Sequence, residues 1–157
     1  MMPPDLGVAF GEVFETADRP FRRKAKGDLA EAMVFADLIA RGYKVALPYG
    51  EDWDYDLVVC RTGPLERMQV KYTESDAQHI EVKCFSASLT NGRVRKVKRY
   101  TAATVDWIAV YDRTSSCCYY VPSSLFATGR TYLHLRLTSP RNGQRKGIRM
   151  AADFTSI

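Results

Sequence analysis

Glu31, Asp56, Gln69 and Lys71 are the residues whose types and spacing could do chemistry in this sequence. Carboxylate and carboxamide oxygens are ligands for hard divalent cations, and a lysine beside them is a fixed positive charge. Both acids stand in costly places. On a helical wheel at 100° per residue, Val34, Phe35, Leu38 and Ile39 fall within roughly 80° of Glu31, so its carboxylate sits in an apolar arc. Asp56 shares a strand face with Val58 and Cys60 by the two-residue period, and aspartate is disfavoured inside strands. Gln69 and Lys71 project to one face of their strand, while Met68, Val70 and Tyr72 take the other. With the hairpin folded over Gly63-Pro64, Asp56 lies opposite Lys71 and Val58 opposite Gln69, which gathers the polar groups on one face. A slip of one residue would separate them.

Each of these residues has a plainer reading. Asp28 as a helix N-cap makes Glu31 the third residue of a capping-box-like start, compatible with a site at the first turn. Asp56 after Asp52 and Asp54 could be a turn residue at the start of a strand, and a lone Gln-x-Lys usually marks an exposed strand face. Glu81-Val82-Lys83 offers a competing acid and lysine at the same spacing. The tight hairpin favours Gln69 and Lys71, because it brings them beside Asp56 with little loop entropy.

The elements that must position these groups follow from periodicity. A short helix is predicted over 6–17, followed by a basic connector from Arg19 to Lys24 and a strong helix from Asp28 to Arg41, ended by Gly42. Strands are expected over 44–49, 55–61, 65–73, 79–86, 105–111, 118–121 and 132–137, with turns at Gly50-Glu51-Asp52, Thr62-Gly63-Pro64 and Asn91-Gly92. Pro122-Ser123-Ser124 could start a short helix, and residues 139–147 read as a basic loop. Trp107, Tyr111 and Leu133 are core candidates. One helix ahead of mostly antiparallel strands predicts an α+β fold, and with no linker the 157 residues form one domain.

Composition bounds the function. The chain is 46% apolar and 26% charged, which excludes disorder, and no apolar run is long enough to span a bilayer. There is no secretory signal and no C-x-x-C pair among Cys60, Cys84, Cys117 and Cys118, so a cytoplasmic protein with reduced cysteines is expected and membrane association is not. Two histidines, His79 and His134, fit no metal motif. Charge is segregated: residues 1–81 carry 10 Lys/Arg against 15 Asp/Glu, and residues 82–157 carry 13 against 3. A basic half of this kind suits a polyanion such as nucleic acid. Residues 91–100 hold five cations, Arg93, Arg95, Lys96, Lys98 and Arg99, which read either as a solvated surface or as a phosphate-tracking arm. Arg22, Arg23 and Lys24, and Arg141, Arg145, Lys146 and Arg149, are weaker DNA-binding candidates.

The order of a helix Glu, a strand Asp and a Gln-x-Lys on its hairpin partner resembles the PD-(D/E)XK nuclease superfamily. Lys26-Gly27-Asp28-x-Ala30-Glu31, Arg41-Gly42-Tyr43, Leu47-Pro48, Tyr55-Asp56-Leu57-Val58-Val59 and Gln69-Val70-Lys71 are similar to its group I intron homing endonucleases, whose third motif is Gln-x-Lys. The resemblance covers about residues 24–122 and extends through Tyr100, Val105–Tyr111 and Tyr120-Val121-Pro122. One departure is the missing proline before the motif's aspartate, where Trp53, Asp54 and Tyr55 stand.

The resemblance implies a restriction-endonuclease-like core, a central mixed or antiparallel sheet flanked by helices. It implies Mg²⁺-dependent hydrolysis of DNA phosphodiester bonds, with Mn²⁺ able to substitute. Asp56, Gln69 and Glu31 would be the metal ligands and Lys71 the catalytic lysine. Such an ion polarises the phosphoryl oxygen and activates water, and the lysine orients that water or balances developing charge. With Gln69 replacing a carboxylate, metal binding should be weaker, with one dominant ion per site. Cutting both strands needs two sites, hence a homodimer or a dimer of dimers. The rival readings are a junction-resolving nuclease built on the same core and a cleavage-inactive DNA-binding protein that kept the fold.

Overall fold

The computed structural model describes residues 22–90, 93–144 and 146–157. The helix expected over 6–17, the connector residues 19–21, the Asn91-Gly92 turn and Arg145 lie outside the described residues.

The principal helix, α1 (Arg23–Ala40), buries Ala30, Val34 and Leu38, spaced four apart on one face. Its end follows the sequence. Gly42 takes φ +86°, its N–H donates to Ile39 O at 2.8 Å, and Tyr43 N–H donates to Leu38 O at 3.1 Å, which together form a Schellman motif. The start does not follow it. The helix begins at Arg23 with Arg22 at the N-cap and no side-chain cap. Asp28 is therefore not a cap; it lies inside the helix and pairs with Lys24 at 3.3 Å, one turn back. Capping residues are only one way to start a helix; in the added turn Lys26 pairs with Glu74 at 2.7 Å and lies over the Tyr72 ring.

A five-stranded sheet lies under α1 in the order β1 (Lys44–Ala46), β2 (Leu57–Cys60), β3 (Glu66–Thr73), β7 (Trp107–Asp112), β8 (Cys117–Pro122). β3 and β7 are parallel and the other neighbours antiparallel, so the sheet is mixed. Two ribbons complete the described strands: β4 (His79–Lys83) with β9 (Tyr132–Arg136), and β5 (Phe85–Thr90) with β6 (Arg93–Arg99). The predicted strand over 79–86 is thus two strands serving different ribbons. The architecture is α+β.

Both faces of the sheet are covered. Leu57, Val59, Met68, Val70, Ala109 and Tyr120 pack against α1. On the other face Ile108, Val110 and Val121 meet Ile80, Val82, Leu133 and Leu135 of the β4–β9 ribbon, with Phe126 from the short helix α2 (Ser123–Phe126) and Ala151 from a 3-10 turn (Ala151–Phe154). Among the described residues a β-ribbon forms most of the second layer. Tyr111 and Leu133 are buried as expected, whereas Trp107 is only partly buried and donates its indole N–H to Glu66 at 3.0 Å.

Candidate active site

Gln69 and Lys71 interrupt an apolar face. Across the parallel β3–β7 ladder they pair with Ile108 and Val110, both fully buried, yet they bring a carboxamide and an amine to that layer. Polar groups in such a place need partners.

Asp56 is the first partner. It lies just before β2, and its N–H donates to Met68 O at 2.9 Å. Its Oδ2 accepts the Val70 backbone N–H at 2.7 Å and the Gln69 side-chain amide N–H. Burial pushes the Asp56 carboxyl above its ordinary range, against the lowering pull of the Val70 N–H, the Lys71 charge and Gln69. Oδ1 takes no hydrogen bond among the described residues. The expected register needs correction. Leu57 pairs with Met68, which sets Asp56 beside Gln69, two residues short of Lys71. A two-residue shift keeps every side chain on its face, so the polar groups still share one side.

Lys71 donates from Nζ to the Tyr100 hydroxyl at 2.7 Å. Burial pulls its ammonium down to about 8, Asp56 opposes that shift and Lys83 adds to it. Asp56, Gln69, Lys71 and Tyr100 line a cleft of about 610 Å³ with the 52–54 loop on one side and the β5–β6 ribbon on the other. From the ribbon come Ser86 and Ser88, which pair with Lys98 and Lys96. Lys98 meets Asp54 in an ion pair that ties ribbon to loop.

Glu31 is not in this cleft. It lines a neighbouring depression of about 320 Å³ that shares Asp52, Trp53 and Asp56 with it. Asp56 thus stands between Glu31 and Lys71. Burial raises the Glu31 carboxyl, the charges of Asp56 and Asp28 raise it further, and Lys24 partly offsets them. Because α1 starts at Arg23, Glu31 is beyond any capping position. Two desolvated carboxylates that repel each other, with a carboxamide alongside, form an oxygen-donor set that a divalent cation would relieve. Among the described residues no three His, Cys, Asp or Glu side chains form a metal-binding group, and the side chain that meets Asp56 is the Gln69 carboxamide.

The competing acid is elsewhere. Glu81 is exposed on β4, opposite His134 of β9, and faces a separate depression with His79 and Asp76. Lys83 lies near enough to Lys71 to lower it, with Nζ 4.4 Å from the Phe85 ring centre. Of the basic residues, Arg93, Lys96, Lys98 and Arg99 are exposed on β6, and Lys96 and Lys98 line the cleft. Arg95 falls where the β5–β6 ladder shifts; its side chain lies outside the described part. Arg22 and Arg23 open α1 away from the cleft lining, and Lys24 is held by Asp28. Tyr100 entered the sequence reading only as part of the family resemblance, and Ser86 and Ser88 carried no site signal beyond their two-residue spacing.

The profile of the PD-(D/E)XK endonuclease family matches residues 21–157, which takes in every element described above. The chain belongs to the PD-(D/E)XK endonuclease family. Among solved structures, this PD-(D/E)XK endonuclease is similar to the bacterial homing endonuclease I-Ssp6803I, with a TM-score of 0.64 and 22% identity over 84% of this chain and 87% of the other. That likeness is one of fold, the restriction-endonuclease-like α+β arrangement. No curated protein sequence matches the chain. No helix among the described residues of the endonuclease is long and apolar enough to cross a membrane, and its four cysteines are unbridged.

Proposed function

We propose that this chain is a Mg²⁺-dependent DNA endonuclease of the homing type, a site-specific double-strand cutter that acts in the cytoplasm as a homodimer or dimer of dimers. The observation that carries the reading is the placement of Asp56, hydrogen-bonded to Gln69, between Glu31 on one side and Lys71 on the other. The whole chain, residues 1–157, serves as one nuclease domain.

The Asp56 carboxylate, the Gln69 carboxamide oxygen and Glu31, directly or through water, would hold the ion. Gln69 turns its amide nitrogen to Asp56; a half-turn of the amide presents its oxygen instead. When bound, Mg²⁺ supplies Lewis-acid charge to the phosphoryl group and makes water a better nucleophile. Lys71, fixed by Tyr100, sets a positive charge where the phosphate gains negative charge. Arg93, Arg95, Lys96, Lys98 and Arg99 on the ribbon contact backbone phosphates beside the cleft, with Arg22, Arg23 and Lys24 as outlying contacts. DNA phosphate replaces Asp54 as the partner of Lys98.

The test is nicking and linearisation of supercoiled DNA in Mg²⁺ or Mn²⁺ by wild type and Asp56→Ala. Wild type should cut and D56A should not; equal cutting by both removes the enzyme reading. Linear duplex and four-way junction offered side by side decide between homing and junction-resolving action, with cleavage of the duplex expected. Sedimentation should give a mass of two or four chains.

A further inference from the structure

The Lys71 amine is held by Tyr100: the described hydrogen bond from Nζ runs to the tyrosine hydroxyl, and none runs to Asp56. Tyr100 is 3% exposed, with its ring in the core cluster that contains Cys84, Val105 and Ile108. Its backbone N–H donates to Cys84 O at 3.1 Å. Cys84 immediately precedes β5 and Tyr100 immediately follows β6, so this bond closes the base of the ribbon whose cations line the cleft.

We propose that Tyr100 is a positioning residue whose hydroxyl fixes the Lys71 amine in the cleft and ties that position to the base of the β5–β6 ribbon. The physical need is plain. A lysine side chain has many rotamers, and holding one of them costs conformational entropy. A rigid buried ring with one hydroxyl selects one of those rotamers before substrate arrives, and small misplacements at a reacting centre are costly. The ribbon and the lysine are then a single unit, so DNA that engages Lys96 and Lys98 does so in register with Lys71.

The inference rests on the reading that Lys71 acts in cleavage, and the test separates the two. Wild type, Tyr100→Phe and Lys71→Met are compared in single-turnover plasmid nicking with Mg²⁺, in DNA affinity without divalent metal, and in the ¹H–¹⁵N signal of the Lys71 side-chain amine. Y100F should nick roughly 10-fold to 100-fold more slowly, as loss of a supporting hydrogen bond does at comparable sites. Its DNA affinity should stay within about twofold of wild type, and the Lys71 amine signal should broaden through faster exchange with water. Y100F nicking at the wild-type rate while K71M is inactive overturns the positioning role alone. A fall in rate and affinity together, or an unchanged Lys71 signal, also overturns it, because the loss would then be structural. K71M nicking at the wild-type rate overturns the role of Lys71 and this inference with it. The amine signal reads the Tyr100–Lys71 contact even in protein that nicks no DNA.

Discussion

The backbone N–H of Val70 donates to Asp56 Oδ2 over 2.7 Å, so the acid ahead of β2 is anchored by the strand that carries Gln69 and Lys71. The hairpin thereby builds three of the four candidate residues into one rigid piece. Glu31 is the exception, delivered by α1 from the other side of Asp56.

Asp56→Asn keeps an oxygen to accept the Val70 N–H and removes the buried charge. Cleavage should fall by at least about 100-fold, the scale for loss of a charge-stabilising group. Melting without metal should stay at or above the wild-type temperature, because burial already disfavours the ionised form. Mg²⁺ should no longer raise that temperature. Plasmid nicking and thermal melts with and without Mg²⁺ check all three outcomes.

Gln69→Glu places a third carboxylate beside Asp56. The like charge should lower the metal-free melting temperature by about 2–4 °C, equivalent to ~1 kcal/mol. It should also tighten Mg²⁺ binding, since the ion now meets three carboxylates. Calorimetry should give one dominant Mg²⁺ per wild-type chain and a smaller Kd for Q69E; two tightly bound ions per wild-type chain without DNA would refute the weakened donor set.

Lys96→Ala and Lys98→Ala remove cations that line the cleft. Each should weaken DNA binding and flatten the plot of log K against log[salt] by about 0.9 for every phosphate that is no longer neutralised. Lys24→Ala, whose cation does not line the cleft, should change that slope less. Fluorescence anisotropy over a range of salt concentrations reads the difference.

Asp112 is fully buried and accepts from the Ser75 N–H and hydroxyl, the Ser115 N–H and hydroxyl, and the Thr114 N–H. Burial alone would raise its carboxyl, but these donors outweigh it and hold the group below its ordinary value of 3.8. A lowered folded value means that its stabilisation is complete above the unfolded value and is lost as pH falls through the folded one. Asp112→Ala should destabilise by roughly 1–3 kcal/mol at neutral pH through the donors left unsatisfied. That deficit should shrink below about pH 4. Chemical denaturation across pH measures it.

Much of this fold was legible in the chain. Alternation marked β3 and β9 because a two-residue period needs only local geometry, and short apolar runs marked β2 and β7. Gly42 marked the end of α1 because the left-handed turn of a Schellman motif favours glycine. The order of Glu31, Asp56, Gln69 and Lys71 was equally visible, since motif order is a property of sequence alone. The start of α1 was not, because Arg22 carries no capping signal and the added turn is tied down by Lys26 pairing with Glu74, far away in sequence.

Tertiary structure decided the rest, and always where the choice preserves local pattern. A two-residue register shift leaves each side chain on its face, so nothing in the alternation could place Asp56 beside Gln69 instead of Lys71. Gln69-Val70-Lys71 and Glu81-Val82-Lys83 are alike in spacing; pairing of β3 with β7 and of β4 with β9 put the first pair on the cleft and left Glu81 in solvent. Composition and periodicity determine which faces are apolar. Long-range pairing, set by which of those faces can be buried together, determines which polar groups finally meet.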